Sequence, residues 1–252
     1  FLYRPVSNEA MLYRILRSEI SNHVQSIQPS GFTFLALDGP GPRAKMQLQQ
    51  RRRVCVEDPD GKLVHKSQYE LIVHQLQVER QRKKLKRFSS IHPGNFTPGT
   101  MVMNKVGESM VHVALNLLMK NGDENGVVVG GQKGIGRING GSGSGGFIVS
   151  DSNRFNEGEF KIFEFIKYFT RSHETQLVLS NDSDMVIYGL QMRDRNIFIE
   201  RGTLEVFSIE NLKRTIGEVA EVENEEQLER VIDDFCYMFL LVGNDYLPGL
   251  KF

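Results

Sequence analysis

The chain has 252 residues, 40% of them hydrophobic, with 31 basic side chains against 31 acidic ones. That length allows one large α/β domain or two small ones, either able to bury a substantial core. A charged fraction of 25% argues against a mainly disordered polymer and against a membrane protein. The longest uncharged apolar stretch, Phe235 to Val242, falls far short of the ~20 residues a spanning helix needs, so no membrane partner is expected.

The first helix is expected from Asn8 to Gln28, where Met11, Leu12, Ile15, Leu16, Ile20 and Val24 recur at helical spacing before Pro29-Ser30-Gly31 stops it. Phe32 to Leu37 is continuous, aromatic and apolar, which predicts a strand buried on both faces. The strand leads into Asp38-Gly39, and Pro42 suits the first turn of a helix over Arg43 to Arg53. A charged helix is expected from about His65 to Arg87, followed by a Pro-, Gly- and Ser-rich loop over 89–99 and an apolar helix from Met101 to Met119. Residues 121–146 are dense in Gly, Ser and Asn and read as a flexible insertion within a single domain spanning 1–252. Its glycines do not match a phosphate loop, because Gly131, Gly134 and Gly136 run in the reverse order of GxGxxG and no GK[ST] follows.

Beyond it, strands are expected at Phe147–Ser150 and Gln176–Ser180 with a helix from Gly158 to Arg171 between them, an order that predicts a parallel crossover. Asn196–Glu200 and Thr203–Phe207, joined at Arg201-Gly202, predict a hairpin, and a last helix runs from Glu225 to Val242. The expected architecture is α/β, with a mainly parallel twisted sheet flanked by helices.

The net charge of zero hides an asymmetry. Residues 1–105 carry a balance of +9 and residues 106–252 a balance of −9. Such segregation fits an anionic partner on one side and a cation-collecting site on the other. The two cysteines, Cys55 and Cys236, form neither a disulfide framework nor a metal-ligand spacing, which suits a reducing, intracellular compartment without separating nucleus, cytoplasm or organelle.

Acidic residues cluster where strands end: Asp38 after the first strand, Asp182 and Asp184 after Leu177–Leu179, and Asp245 after the last helix. Ligand sites in parallel sheets lie outside the carboxyl ends of the strands. Glu157 and Glu159 stand at the start of a helix, where Gly158 lets both reach one pocket. Six carboxylates sharing a small volume would repel one another strongly unless cations neutralised them. Oxygen-only ligation suits Mg²⁺ or Mn²⁺, and two such ions would serve phosphodiester hydrolysis. Asp151 reads as a cap or turn residue. Lys45, Gln49, Arg52 and Arg53 share one helical stripe that could clamp a phosphate.

These segments resemble the XRN-type 5′→3′ exoribonucleases. Asp38-Gly-Pro-Gly-Pro-Arg-Ala-Lys45 and the run through Gln49, Arg52 and Arg53 resemble the first family motif. Phe96-Thr-Pro-Gly-Thr, Glu157-Gly-Glu159, Asp182-Ser-Asp184 and Gly243-Asn-Asp245 resemble four more in the same order. The later acidic motifs are also similar to those of flap endonucleases in the wider PIN-like group. The resemblance implies a PIN-like nuclease core and a processive exoribonuclease acting on single-stranded RNA with a 5′ monophosphate. It implies two Mg²⁺ or Mn²⁺ held by Asp38, Glu157, Glu159, Asp182, Asp184 and Asp245, and a 5′-phosphate grip made by Lys45, Gln49, Arg52 and Arg53, with Met46 and Leu48 turned into packing. Asn156, Phe160 and Gly249 stand where the family has Gly, His and His. No early strand ending in an additional Asp occurs in residues 1–31, and the sequence opens without Met, so the nuclease core is expected to be incomplete at both ends and completed by a longer chain or by protein partners. The alternatives are an inactive XRN-like scaffold within a ribonucleoprotein and a 5′ flap nuclease acting on DNA.

Overall fold

The computed structural model describes residues 8–43, 45–46, 55–57, 63–65, 93–120, 128–129, 146–202, 205–243 and 249–250. The chain divides into two compact units, Phe1–Gly158 and Glu159–Phe252.

In the first unit, helix α1 (Glu9–Ile27) starts where Asn8 Oδ1 accepts a hydrogen bond from Met11 N at 2.8 Å. It ends where Gln28 turns left-handed, at φ 49°, and its N–H closes onto Val24 O. Helix α2 (Met101–Lys120) sets Val102, Val106, Met110, Val113 and Leu117 in one buried stripe, against which α1 lays Leu12, Leu16 and Ile20. Leu12 is the fully enclosed contribution of α1. Leu12→Ala should therefore cost ~2–5 kcal/mol, read as a lowered denaturation midpoint of the intact protein; an unchanged midpoint would contradict this packing.

Three parallel strands complete this unit in the order β1, β5, β4: β1 (Thr33–Ala36), β4 (Val128–Val129) and β5 (Phe147–Ser150). Thr33 pairs with Phe147 and Ala36 with Ser150, and Leu37 N extends the ladder to Ser150 O, so Asp38 and Asp151 leave neighbouring strands at the same end. Strand β1 is half-buried along its length rather than enclosed on both faces as its composition suggests. Its one ladder partner among the described residues is β5, which explains the partial cover.

A short antiparallel pair, β2 (Cys55–Glu57) and β3 (Leu63–His65), was not expected. His65 closes a strand instead of opening a helix; Asp58-Pro-Asp-Gly-Lys62 between the two strands carries turn chemistry that marks a hairpin. The remainder of the expected helix to Arg87 lies outside the described residues. So does the insertion over 121–146, apart from β4 and Gly146.

The side chain of Tyr13 on α1 donates to Glu9 Oε2 at 3.2 Å, and Lys105 Nζ approaches the same oxygen at 3.3 Å. Burial first, then the bond to Glu9 and the charges of Glu9 and Glu108, push the Tyr13 phenol up from 10.0 to about 12. A raised folded-state value favours the neutral phenol, so this contribution to stability is complete below pH 10.0 and is lost as pH rises through about 12. Tyr13→Phe should remove the latest component of phenolate absorbance in an alkaline titration; an identical titration curve would contradict it.

Helix α3 (Gly158–Phe169) opens at the last residue of the first unit. In the second unit, β6 (Thr175–Leu179) and β7 (Asn196–Arg201) pair in parallel, and β7 pairs antiparallel with β8 (Glu205–Ser208), the predicted hairpin. Strand β5, in the first unit, pairs with β1 and β4. The second unit contains a parallel crossover of its own, β6, α4 (Asp184–Gln191), β7. Ile197 and Ile199 alternate inward and pack with Met185, Leu190, Ile209 and Phe163.

Helix α5 (Ile209–Val219) is capped by Ser208 Oγ, and α6 (Glu225–Val242) by Asn224 Oδ1, which accepts from Gln227 N at 3.0 Å. Lys213 on α5 is buried and donates to Met192 O at 2.9 Å and Arg193 O at 3.2 Å, tying off the end of α4. Burial lowers its pKa. Both units are mixed α/β: the first has two parallel ladders and the β2–β3 antiparallel pair, the second one parallel and one antiparallel ladder, consistent with the PIN-like class expected from sequence.

Candidate active site

The chain leaves β1 through Asp38-Gly-Pro-Gly-Pro42, a segment in which two prolines remove N–H donors and two glycines remove side chains. That economy lets it lie against the loop running from β5 to α3. Gly39 N donates to Asn156 O at 2.9 Å and Asn156 N donates to Pro40 O at 3.1 Å. A Cβ on Gly39 would overlap the carbonyl of Arg154, so this approach requires glycine. Asn156 itself is left-handed, at φ 82°. Apart from glycine, Asn is among the residues that tolerate this conformation best. The asparagine at this position is thus compatible with the left-handed backbone it occupies.

The clasp brings two predicted site residues to one place. Asp38 Oδ1 accepts from Gly158 N, the first residue of α3, at 2.8 Å. A carboxylate there satisfies an orphan donor of the helix and meets the positive end of its dipole, an effect of ~0.3–1 kcal/mol. Glu157, one residue earlier, points a carboxylate oxygen at Lys45 Nζ, 3.2 Å away, with both side chains only 15% exposed. Lys45 is delivered by the helical turn that Pro42 opens, where Met46 N donates to Pro42 O at 3.0 Å. Met46 is exposed rather than packed.

In the second unit, Asp182 and Asp184 follow β6. Asp182 N donates to Ser180 Oγ at 3.1 Å, and Asp182 Oδ1 accepts from Asp184 N at 3.0 Å, a local turn that starts α4 with both carboxylates exposed. Glu159 lies in the first turn of α3 and is half-buried. Asp245, Gln49, Arg52, Arg53 and Leu48 lie outside the described residues. Asp151 forms the turn anticipated for it, Oδ1 accepting from Asn153 N at 3.0 Å.

Among the described residues no three His, Cys, Asp or Glu side chains converge closely enough to hold a metal ion. The donors that are placed fit a hard divalent cation in kind: they are all carboxylate oxygens, and Glu157 already holds a cationic group, the Lys45 ammonium. The sequence marks Asn156 only as a departure from the family motif and gives Gly39 and Gly41 no role, yet all three shape the clasp without supplying a ligand. The alternation Gly-Pro-Gly-Pro was the available signal.

Acidic side chains follow parallel strand β1 in the first unit and parallel strand β6 in the second, in an α/β fold consistent with the PIN-like class. The chain belongs to the XRN exonuclease family: the model of the XRN 5′-3′ exonuclease N-terminus matches residues 2–203. It is 26% identical to 5′-3′ exoribonuclease 2 of Saccharomyces cerevisiae, over 98% of this chain and 27% of that protein. It is 25% identical to 5′-3′ exoribonuclease 2 of Schizosaccharomyces pombe, over 89% of this chain and 25% of that protein. Against 5′-3′ exoribonuclease 1 of Saccharomyces cerevisiae the identity is 24%, over 92% of this chain and 15% of that protein. The chain thus spans about a quarter or less of the length of these relatives. Among the described residues no helix is long and apolar enough to cross a membrane.

Proposed function

We propose that the protein containing this chain is a metal-dependent 5′→3′ exoribonuclease that hydrolyses 5′-monophosphorylated single-stranded RNA in RNA turnover or processing. The reading is carried by the clasp that sets Asp38 and Lys45, from one motif, against Gly158 and Glu157, from another. Family membership and the names of the relatives support it.

Asp38, Glu157, Glu159, Asp182, Asp184 and Asp245 would hold two Mg²⁺ or Mn²⁺, and the ions would supply Lewis-acid stabilisation of charge at the scissile phosphate. Lys45, Gln49, Arg52 and Arg53 bind the terminal phosphate, the arginines through paired N–H donors and the lysine as a compact charge. The Asp38 bond to Gly158 fixes the start of α3, and with it the carboxylates on either side of Gly158.

Full-length protein should lose RNA hydrolysis on Asp182→Ala or Glu159→Ala, each by at least ~100-fold, the scale seen when one electrostatic stabiliser is removed from an active site. Undiminished activity in both variants would overturn the ligand assignment. Faster cutting of flapped DNA than of single-stranded RNA would move the protein to the flap-nuclease reading.

A further inference from the structure

We propose that Phe155 is a stacking platform for a nucleobase of single-stranded RNA bound at the clasp. The inference rests on the reading above, in which Lys45 takes the terminal phosphate, and deepens it by adding a contact to a base.

The Phe155 side chain is 63% exposed and makes no ring or cation contact among the described residues. A single apolar side chain in water is ordinary. The mounting of this one is not, because the backbone is tied down on both sides of it. Arg154 N donates to Asp151 O at 3.4 Å, while Asn156 N donates to Pro40 O at 3.1 Å and Asn156 O accepts from Gly39 N at 2.9 Å. The peptide link from Arg154 into Phe155 lies against Gly39, where a Cβ would overlap the Arg154 carbonyl. The ring therefore projects into solvent from a fixed root.

Such a ring suits recognition of a flat apolar face. Phenylalanine has only two side-chain torsions, so on a fixed backbone it gives up little freedom when a ligand stacks on it. A nucleobase supplies that face whatever its identity. The surroundings decide against a protein partner: Asn153, Arg154, Asn156 and Glu157, the neighbours along the chain, are all polar or charged. The ring thus stands without the packed apolar cluster that anchors a protein interface. A base needs the ring alone, and its sugar and phosphate are at home among polar groups.

Chain geometry places the ring near the phosphate grip. Phe155 is two residues before Glu157, so their Cα atoms lie within ~7 Å of each other, and the Glu157 carboxylate is 3.2 Å from Lys45 Nζ. An RNA whose 5′ phosphate is held at Lys45 passes its leading bases close to Phe155. Stacking there favours unpaired ends, since a base inside a duplex has both faces covered.

The test is binding of a short 5′-monophosphorylated oligoadenylate, labelled at its 3′ end, to full-length protein in EDTA, read by fluorescence anisotropy. Phe155→Ala should weaken binding about tenfold, within the range for loss of one aromatic platform. Phe155→Leu, apolar but not flat, should weaken it nearly as much, and Phe155→Trp should bind at least as tightly as wild type. Removing the base from each leading nucleotide in turn should reveal a position where the wild type loses about tenfold and Phe155→Ala changes less than about twofold. All the variants should keep the wild-type denaturation midpoint, since most of the ring is in water. Wild-type affinity in Phe155→Ala or Phe155→Leu would overturn the platform, as would base-removal effects of the same size in wild type and Phe155→Ala; either result would leave the proposed activity standing. A midpoint lowered in Phe155→Ala and Phe155→Leu would make the ring a packing residue and overturn the platform also. Failure of the wild type to bind the oligoadenylate would overturn both the platform and the phosphate grip.

Discussion

Asp38→Asn should leave the fold nearly as stable as wild type while removing RNA hydrolysis by the full-length protein, whereas Asp38→Ala should damage both. The Asp38 side chain has two separable tasks. Its Oδ1 accepts the Gly158 N–H at 2.8 Å across 120 residues of sequence, which ties the end of β1 to the start of α3. An asparagine Oδ1 can accept the same bond, and an alanine cannot. Loss of an acceptor at a helix start costs ~0.5–2 kcal/mol, so Asp38→Ala should lower the denaturation midpoint and Asp38→Asn should largely restore it. The negative charge is the other task. Asparagine lacks it, and under the proposed function both variants should lose at least ~100-fold in rate. Full activity in Asp38→Asn would make Asp38 a purely structural residue.

Gly39→Ala is expected to be more damaging to the fold than its single added methyl suggests. The new Cβ would overlap the carbonyl oxygen of Arg154, a backbone atom that no side-chain rotation can move aside. Overpacking by a methylene usually costs ~1–3 kcal/mol where side chains can adjust; here the loop from Arg154 to Gly158 must shift, so the upper end of that range is a floor. The same shift would pull Asn156 O from Gly39 N and move Glu157 relative to Lys45. Thermal unfolding should show the loss, and amide exchange should quicken at Asn156 and Gly158. A variant with wild-type stability and unchanged protection at both amides would contradict the clasp.

How much of this was legible in the sequence varies with the range of the forces involved. Helix α6 begins and ends at the residues read from its periodicity, because its limits are set locally by Asn224 and by Gly243. Helix α1 follows from Asn8 and the apolar stripe in the same way, and the β7–β8 hairpin from two strand-like runs around Arg201-Gly202.

Two helices escaped. The eight residues of α4 are almost all apolar or small in the stretch Met185–Leu190 and offer no polar face to set a period. Helix α5 carried usable signals in Ser208 and in Ile209, Leu212 and Ile216. The pairing of β5 with β1 and β4 depends on sheet edges that no local pattern reports.

At the site, the strand-end position of Asp38 was readable from the apolar run before it. Its bond to Gly158 and the contact of Glu157 with Lys45 were not, because both join segments more than a hundred residues apart. Asn156 shows the reverse gain: a residue that looks like motif drift in the sequence sits at φ 82°, a left-handed conformation that asparagine tolerates better than most residues.

The central claim is tested most directly by giving full-length protein single-stranded RNAs that differ only at the 5′ end, in the presence of Mg²⁺. The account predicts stepwise release of mononucleotides from the 5′ end of the monophosphorylated RNA, little or none from the triphosphorylated RNA, and none from either in Asp182→Ala. Equal degradation of the two RNAs, or release of nucleotides from the 3′ end, would contradict it.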